Sequence, residues 1–176
     1  MKWFFASKEL LLRFLQQLSS LQCPRCGAVG CFNRHGLLLG FVSPNQEGIR
    51  AWRIYCRPRQ GGCGYTPSLR LDSTLPRRYV DAQTIWIFLK LLLKSDSVQA
   101  AWDQAHTGLC VDAAYRLLRD LKAQTHSIRT LLLARGPPPN SPAQKSLHLT
   151  IQHLKEVFGE GSAIQAFQQK TQQGFP

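Results

Sequence analysis

Two thiols two residues apart in Cys23-Pro24-Arg25-Cys26-Gly27, followed by a second pair, Cys56 and Cys63, in a glycine-rich setting, limit how the first half of this chain can fold. A C-x2-C turn brings the second sulfur back toward the first, and the glycine after it tolerates the left-handed φ that such a turn needs. Twenty-nine residues lie between Cys26 and Cys56. The loop of the second pair, Arg57 to Gly62, exceeds the usual spacing of two to four, although Gly61-Gly62-Cys63-Gly64 still has the composition of a knuckle. Residues 22–70 show no helical periodicity and few large aliphatic side chains, so a folded module there needs another source of stability. Four sulfurs around one Zn²⁺ supply about 10–16 kcal/mol. Cys23, Cys26, Cys56 and Cys63 are therefore the expected ligands of a structural zinc ion. Four sulfurs close the coordination shell, and Glu47 and Asp72 are the only carboxylates in residues 22–80, which argues against a catalytic metal. Cys31 and His35 stand as alternative ligands, and unrelated thiols in a loop are the other reading. Cys110, between two predicted helices, is expected to be a small buried apolar residue.

The rest of the chain divides by periodicity. Leu10, Leu11, Phe14, Leu15 and Leu18 predict an amphipathic helix over Ser7 to Leu21 that packs on the neighbouring module. Two β-like runs, Leu37–Val42 and Ile49–Tyr55, flank a turn signal at Ser43–Gly48 and predict a hairpin. From Asp81 the pattern becomes helical, with Ile85, Phe88, Leu89, Leu92 and Leu93 on one face. Shorter helices are expected over Val98 to Ala105, capped by Asp96 or Ser97, and over Val111 to Leu121. Gly136-Pro137-Pro138-Pro139-Asn140-Ser141-Pro142 has linker composition, and two further helices are expected at Leu147–Phe158 and Ala163–Gln172. The expectation is an α+β fold, mostly α: an N-terminal helix (1–21), a zinc-ribbon hairpin module (22–76), a three-helix helix-turn-helix bundle (77–135), a linker (136–142) and a short helical tail (143–176). The apolar run Ile85–Leu93 is about half the ~20 residues of a membrane span, and Lys8 and Glu9 cut short the apolar start of the chain. A cytosolic protein with reduced thiols and no membrane partner is expected.

Charge indicates the partner. Twenty-two Lys and Arg against ten Asp and Glu give a net +12. Residues 22–80 hold nine positive side chains, all arginines, against two acids. Guanidinium groups pair with phosphate bidentately and stack on bases, so the surplus favours a polyanion, and nucleic acid in particular. Arg50, Arg53, Arg57, Arg59, Arg77 and Arg78 are the candidate contacts here, with Trp52, Tyr55, Tyr65 and Tyr79 interleaved as possible stacking partners. Farther on, His106-Thr107-Gly108-Leu109 makes the turn of a helix-turn-helix. Its third helix then turns Asp112, Ala113, Tyr115, Arg116, Arg119 and Lys122 outward, and of these Tyr115, Arg116, Arg119 and Lys122 suit DNA. Generic helical packing gives a similar periodicity.

The order Cys-Pro-x-Cys-Gly, an arginine-rich hairpin ending in Tyr55-Cys56, a second knuckle, Leu75-Pro76-Arg77-Arg78-Tyr79, and then Gly108-Leu109-Cys110-Val111-Asp112-Ala113-Ala114-Tyr115-Arg116-Leu117-Leu118 resembles a bacterial arrangement. It is similar to the amino-terminal DNA-binding region of insertion-sequence transposases and to small stand-alone zinc-ribbon proteins related to them. The likeness covers about residues 22–123 and implies zinc on Cys23, Cys26, Cys56 and Cys63, with Arg116 and Arg119 facing DNA. Strand transfer in that family needs three carboxylates around Mg²⁺, whereas Glu156 and Glu160 are the only acids after residue 121. The expected function is non-catalytic, zinc-dependent binding of double-stranded DNA, as an accessory or regulator of a mobile element or a truncated transposase derivative. A transposase, or a second copy of the chain, is the expected protein partner. The alternative is a protein-interaction adaptor using the ribbon and the hydrophobic helices. A hydrolase is disfavoured because His106, His126, His148 and His153 form no nucleophile-base pattern.

Overall fold

The computed structural model describes residues 2–43, 46–140 and 146–176. Strands Lys2–Phe5 (β1), Phe32–Ser43 (β2), Gln46–Cys56 (β3) and Ser68–Leu71 (β4) form one sheet in the order β1-β4-β3-β2. β2 and β3 are the expected hairpin, extended at its base to the pair Phe32 and Cys56. Asn33, Arg34, His35 and Gly36 are weak strand formers, yet the ladder continues through them because a register shift between Arg34 and Gly36 absorbs the misfit. Pro44 and Asn45 of the expected turn lie outside the described residues. β4 joins the hairpin antiparallel at Trp52–Leu69 and Arg53–Ser68, and β1 lies parallel to β4 along its length.

Lys8–Gln16 (α1) is capped by the Ser7 hydroxyl, which accepts from the Leu10 amide. The helix stops short of the expected Leu21. The Ser20 hydroxyl donates to the Gln17 carbonyl at 2.9 Å, and the chain tightens into a 3₁₀ turn over Leu18–Ser20. Leu11, Leu15 and Leu18 cover one face of the sheet module, in a core shared with Phe32, Ile54 and Leu69. Trp3, Phe5 and Phe14 pack edge-on or tilted around it.

The helical half begins at Asp81, whose carboxylate accepts from the Thr84 amide and hydroxyl and caps Ala82–Leu92 (α2). Ser97 caps Val98–Gln104 (α3). The next helix, Val111–Leu133 (α4), runs twelve residues past the expected Leu121. No Gly or Pro interrupts residues 122–133, and Ile128 and Leu132 continue the stripe of Leu117 and Leu121 at helical spacing, all of them buried. Ser146–Phe158 (α5) and Ala163–Thr171 (α6) lie close to their expected positions. Of the linker, Ser141 and Pro142 lie outside the described residues. The core itself runs across it: Ile151, Leu154, Ile164, Phe167 and Phe175 belong to the same cluster as Trp86, Phe88 and Leu121.

Side-chain amides join the two halves. The Gln172 side chain accepts from the Phe4 amide at 2.8 Å and donates to the Phe4 carbonyl at 3.1 Å, acting toward β1 as a neighbouring strand would. Fully buried Gln168 donates to the Asp72 carbonyl and accepts from the Phe175 amide. Among the described residues no helix is long and apolar enough to cross a membrane.

Candidate metal centre and basic surface

The sequence builds two matching knuckles. In the first, the Gly27 amide donates to the Cys23 carbonyl and the Cys23 amide to the Ala28 carbonyl, each at 2.8 Å, with Gly27 at φ 77°. In the second, a 3₁₀ turn over Pro58–Gln60 takes up the extra loop length. The Gly62 amide then closes on the Arg57 carbonyl and the Gly64 amide on the Cys56 carbonyl, with Gly64 also at φ 77°. Gly62 is required by contact: a Cβ there would lie 2.5 Å from the Cys56 sulfur and 2.6 Å from the Arg57 carbonyl oxygen.

These turns bring the sulfurs of Cys23, Cys26, Cys56 and Cys63 within 4.8 Å of one another. Cys23–Cys63, Cys26–Cys56 and Cys56–Cys63 are 3.9, 3.8 and 3.9 Å apart. A tetrahedron with metal–sulfur bonds of ~2.3 Å has an edge of ~3.8 Å. The four thiols are thus placed for a tetrahedral metal ion. Cys23 and Cys56 are buried, while Cys26 and Cys63 reach the surface.

Protonation follows from the crowding. Burial pushes the Cys23 thiol up, but amides of Arg25 and Cys26 and neighbouring thiols outweigh it and bring it to about 7. Burial, then the Cys31 thiol, raises Cys56 well above the ordinary range. The Ala28 amide favours ionised Cys26, yet burial and the thiols of Cys23 and Cys63 leave its pKa raised. Cys23 thus ionises readily while Cys26 and Cys56 resist, through burial and the crowding of thiols, and a cation among the sulfurs would favour their thiolates.

Of the alternative ligands, Cys31 is fully buried with its sulfur 3.1 Å from that of Cys56 and 3.4 Å from the Ala28 carbonyl, outside the set of four. His35 is exposed and stacked at a tilt on Tyr55, with ring centroids 5.3 Å apart. Cys110 corrects the expectation of a buried apolar residue: it is exposed, because it stands at the N-cap of α4, ahead of the buried stripe that starts at Ala114.

The basic residues separate into two kinds. Arg53, Arg57, Arg59, Arg77, Arg116, Arg119 and Lys122 are exposed, as is Tyr115. Arg50 is not. Only 8 % exposed, it donates through Nη2 to the carbonyls of Leu75 and Arg78, and so fastens the hairpin to the segment that leads into α2. Its stem crosses β2 at Gly40, where a Cβ would lie 3.2 Å from Arg50 Cδ. As placed, this guanidinium is a brace rather than a phosphate contact. Arg78 is ion-paired with Asp120 of α4, and Arg119 Nε lies 3.6 Å from the same carboxylate.

Among the aromatics, Trp52 and Tyr65 pack against the sheet core. Tyr79 is exposed beneath the Arg50 guanidinium, 5.5 Å from the ring centroid. Arg70 and Lys2 carried no signal in the sequence. Arg70 is buried and donates to the Arg50 carbonyl, while burial, and then Arg70 and Arg77, lower the pKa of Lys2. The segment 77–80 and the first turns of α4 bring Arg77, Arg78, Tyr79 and Arg116 around one cleft.

Comparison with protein-family models, with curated proteins and with solved structures finds no match to this chain.

Proposed function

We propose that this chain is a non-catalytic DNA-binding protein whose sheet module is held by a structural Zn²⁺ on Cys23, Cys26, Cys56 and Cys63. The observation that carries the reading is the exposed cationic side of α4. Arg116, Arg119 and Lys122 rise beside Tyr115, and Arg77 of the preceding segment lines the same cleft as Arg116. Buried Ala114, Leu117, Leu118 and Leu121 fix which side of α4 faces inward, so those cations present to a partner as one strip. In a helix-turn-helix built from α3 and α4, this strip enters the major groove, and Arg53, Arg57 and Arg59 of the metal module add phosphate contacts. On the resemblance of residues 22–123, the role is that of a mobile-element accessory, a regulator or a truncated transposase derivative, with a transposase or a second copy as protein partner.

The decisive experiment is a duplex-DNA mobility shift with the zinc-loaded protein across a salt series. Affinity should fall by orders of magnitude from low to moderate salt. A flat response, or no shift at low salt, rejects the reading. Arg116→Ala should cost sequence discrimination of about 1–3 kcal/mol where it reads a base, whereas equal weakening on every sequence assigns it to phosphate.

A second reading, a protein-interaction adaptor, draws on the edge strand. Leu37, Leu38, Leu39 and Phe41 of β2 are 51 %, 42 %, 68 % and 41 % exposed in a run without charge. Uncharged, apolar edge strands are prone to pair with another chain. Salt-insensitive capture of a protein, without DNA binding, would favour this reading.

A further inference from the structure

We propose that the cleft between the segment 77–80 and the amino-terminal half of α4 receives one unstacked nucleobase, with Arg77 and Arg116 holding the adjoining phosphates. The inference rests on the DNA-binding reading and adds a base site to it.

The cleft has a volume of about 140 Å³. An apolar cavity of about 150 Å³ holds one benzene ring, so the space suits a single six-membered ring. Its floor is apolar, formed by Val80, Ile85, Trp102 and Leu117. The Trp102 indole N–H is already bonded to the Leu109 carbonyl at 2.9 Å, so Trp102 offers the cleft apolar surface and no free donor. The rim is cationic. Asp120 pairs with Arg78, while among the described residues Arg77 and Arg116 have no carboxylate partner. A small apolar interior under unpaired guanidinium groups matches an aromatic ring that carries anions on both sides, which describes a nucleotide within a strand. An aliphatic side chain would fill the floor and leave the rim unanswered.

The wall is set before any ligand arrives. Arg50 clamps the Leu75 and Arg78 carbonyls from below, and the Arg78–Asp120 pair ties the segment to α4. Arg77 itself adopts φ 65°, a left-handed conformation that a non-glycine residue holds only when its surroundings impose it. The site selects by ring size, so one-ring pyrimidines are favoured over two-ring purines.

The test uses the full-length zinc-loaded protein and three single strands of equal length: oligothymidylate, oligodeoxyadenylate, and a strand of abasic sugar-phosphate units. Single strands present bases that need no extrusion from a stack. Fluorescence anisotropy at low salt should show oligothymidylate bound at least about tenfold more tightly than the abasic strand, and more tightly than oligodeoxyadenylate. Ala113→Leu, which grows a side chain into the cleft, should collapse the preference for thymidylate over the abasic strand. Circular dichroism and zinc content should confirm that the variant is folded. A second filling variant, Leu109→Phe, serves if it is not.

Equal affinity for all three strands, falling with salt, overturns the base site while leaving the DNA-binding reading intact. Failure to bind any strand or duplex overturns both. Tighter binding of an acidic peptide bearing one phenylalanine than of oligothymidylate would assign the cleft to a protein segment and overturn the proposal.

Discussion

Gly62 shows how a single missing atom can hold a site together. Gly62→Ala would drive a methyl group into the Cys56 sulfur and the Arg57 carbonyl, so the variant should retain less metal than the parent chain when both are loaded alike, measured by metal analysis after gel filtration. Cys56→Ala should lose the metal as well, while Cys31→Ala should retain it, because Cys31 touches Cys56 from outside the four-sulfur set. Arg50→Ala would leave the Leu75 and Arg78 carbonyls without their donor, a loss of about 1–3 kcal/mol, read as a lower urea midpoint at unchanged slope. Asp72 works in the opposite sense. Burial raises its carboxyl pKa above the usual value, against the pull of the Ser73 amide. A group with a raised folded-state pKa supports the fold below its unfolded pKa and loses that support as pH rises through the folded one. Asp72→Asn should therefore stabilise the protein at neutral pH and give no gain in acid, as checked by thermal melts at the two pH values. The clustering of Cys23, Cys26, Cys56 and Cys63 was legible in the sequence because the spacing within each thiol pair is a local property. The buried role of Arg50 was not, because nothing local distinguishes it from Arg53, which faces solvent.

Strands and helices were legible in proportion to how far each depends on its own residues. The hairpin and the five later helical segments were readable from alternation, turn formers and the 3.6-residue period. β1 and β4 were not: each has four residues, and their parallel pairing joins positions more than sixty residues apart. The expected end of α4 at Leu121 came from its densest leucine cluster, whereas Ile128 and Leu132 resume the same buried stripe only after about two turns. Leu132→Ala should cost about 2–5 kcal/mol, since the side chain is fully buried. The last two helices are a larger case of the same dependence. Removing residues 146–176 would uncover the apolar groups beneath Ile151, Leu154, Ile164, Phe167 and Phe175. The shortened chain should lose cooperative unfolding and bind a hydrophobic dye. Composition marked a linker at residues 136–142, but a proline run carries no information on whether α5 and α6 pack against α2 and α4.

For the molecule as a whole, a net charge of +12 works against folding unless some of it is neutralised or dispersed. Among the described residues only three ion pairs are present, and two of them share Asp120. Most of the surplus is left on the surface, so added sulfate or phosphate should raise the melting temperature more than chloride at matched ionic strength, by neutralising the arginine-rich face. This overall charge was plain from composition. Its partition into braces such as Arg50 and Arg70 and free groups such as Arg77 and Arg116 emerged only once distant segments met. The Gln172 amide has a similarly long reach, since it grips both backbone groups of Phe4. Two elements so distant along the chain ordinarily open independently; here one latch couples them, so deuterium uptake in β1 and at the end of α6 should rise in step when Gln172 is replaced.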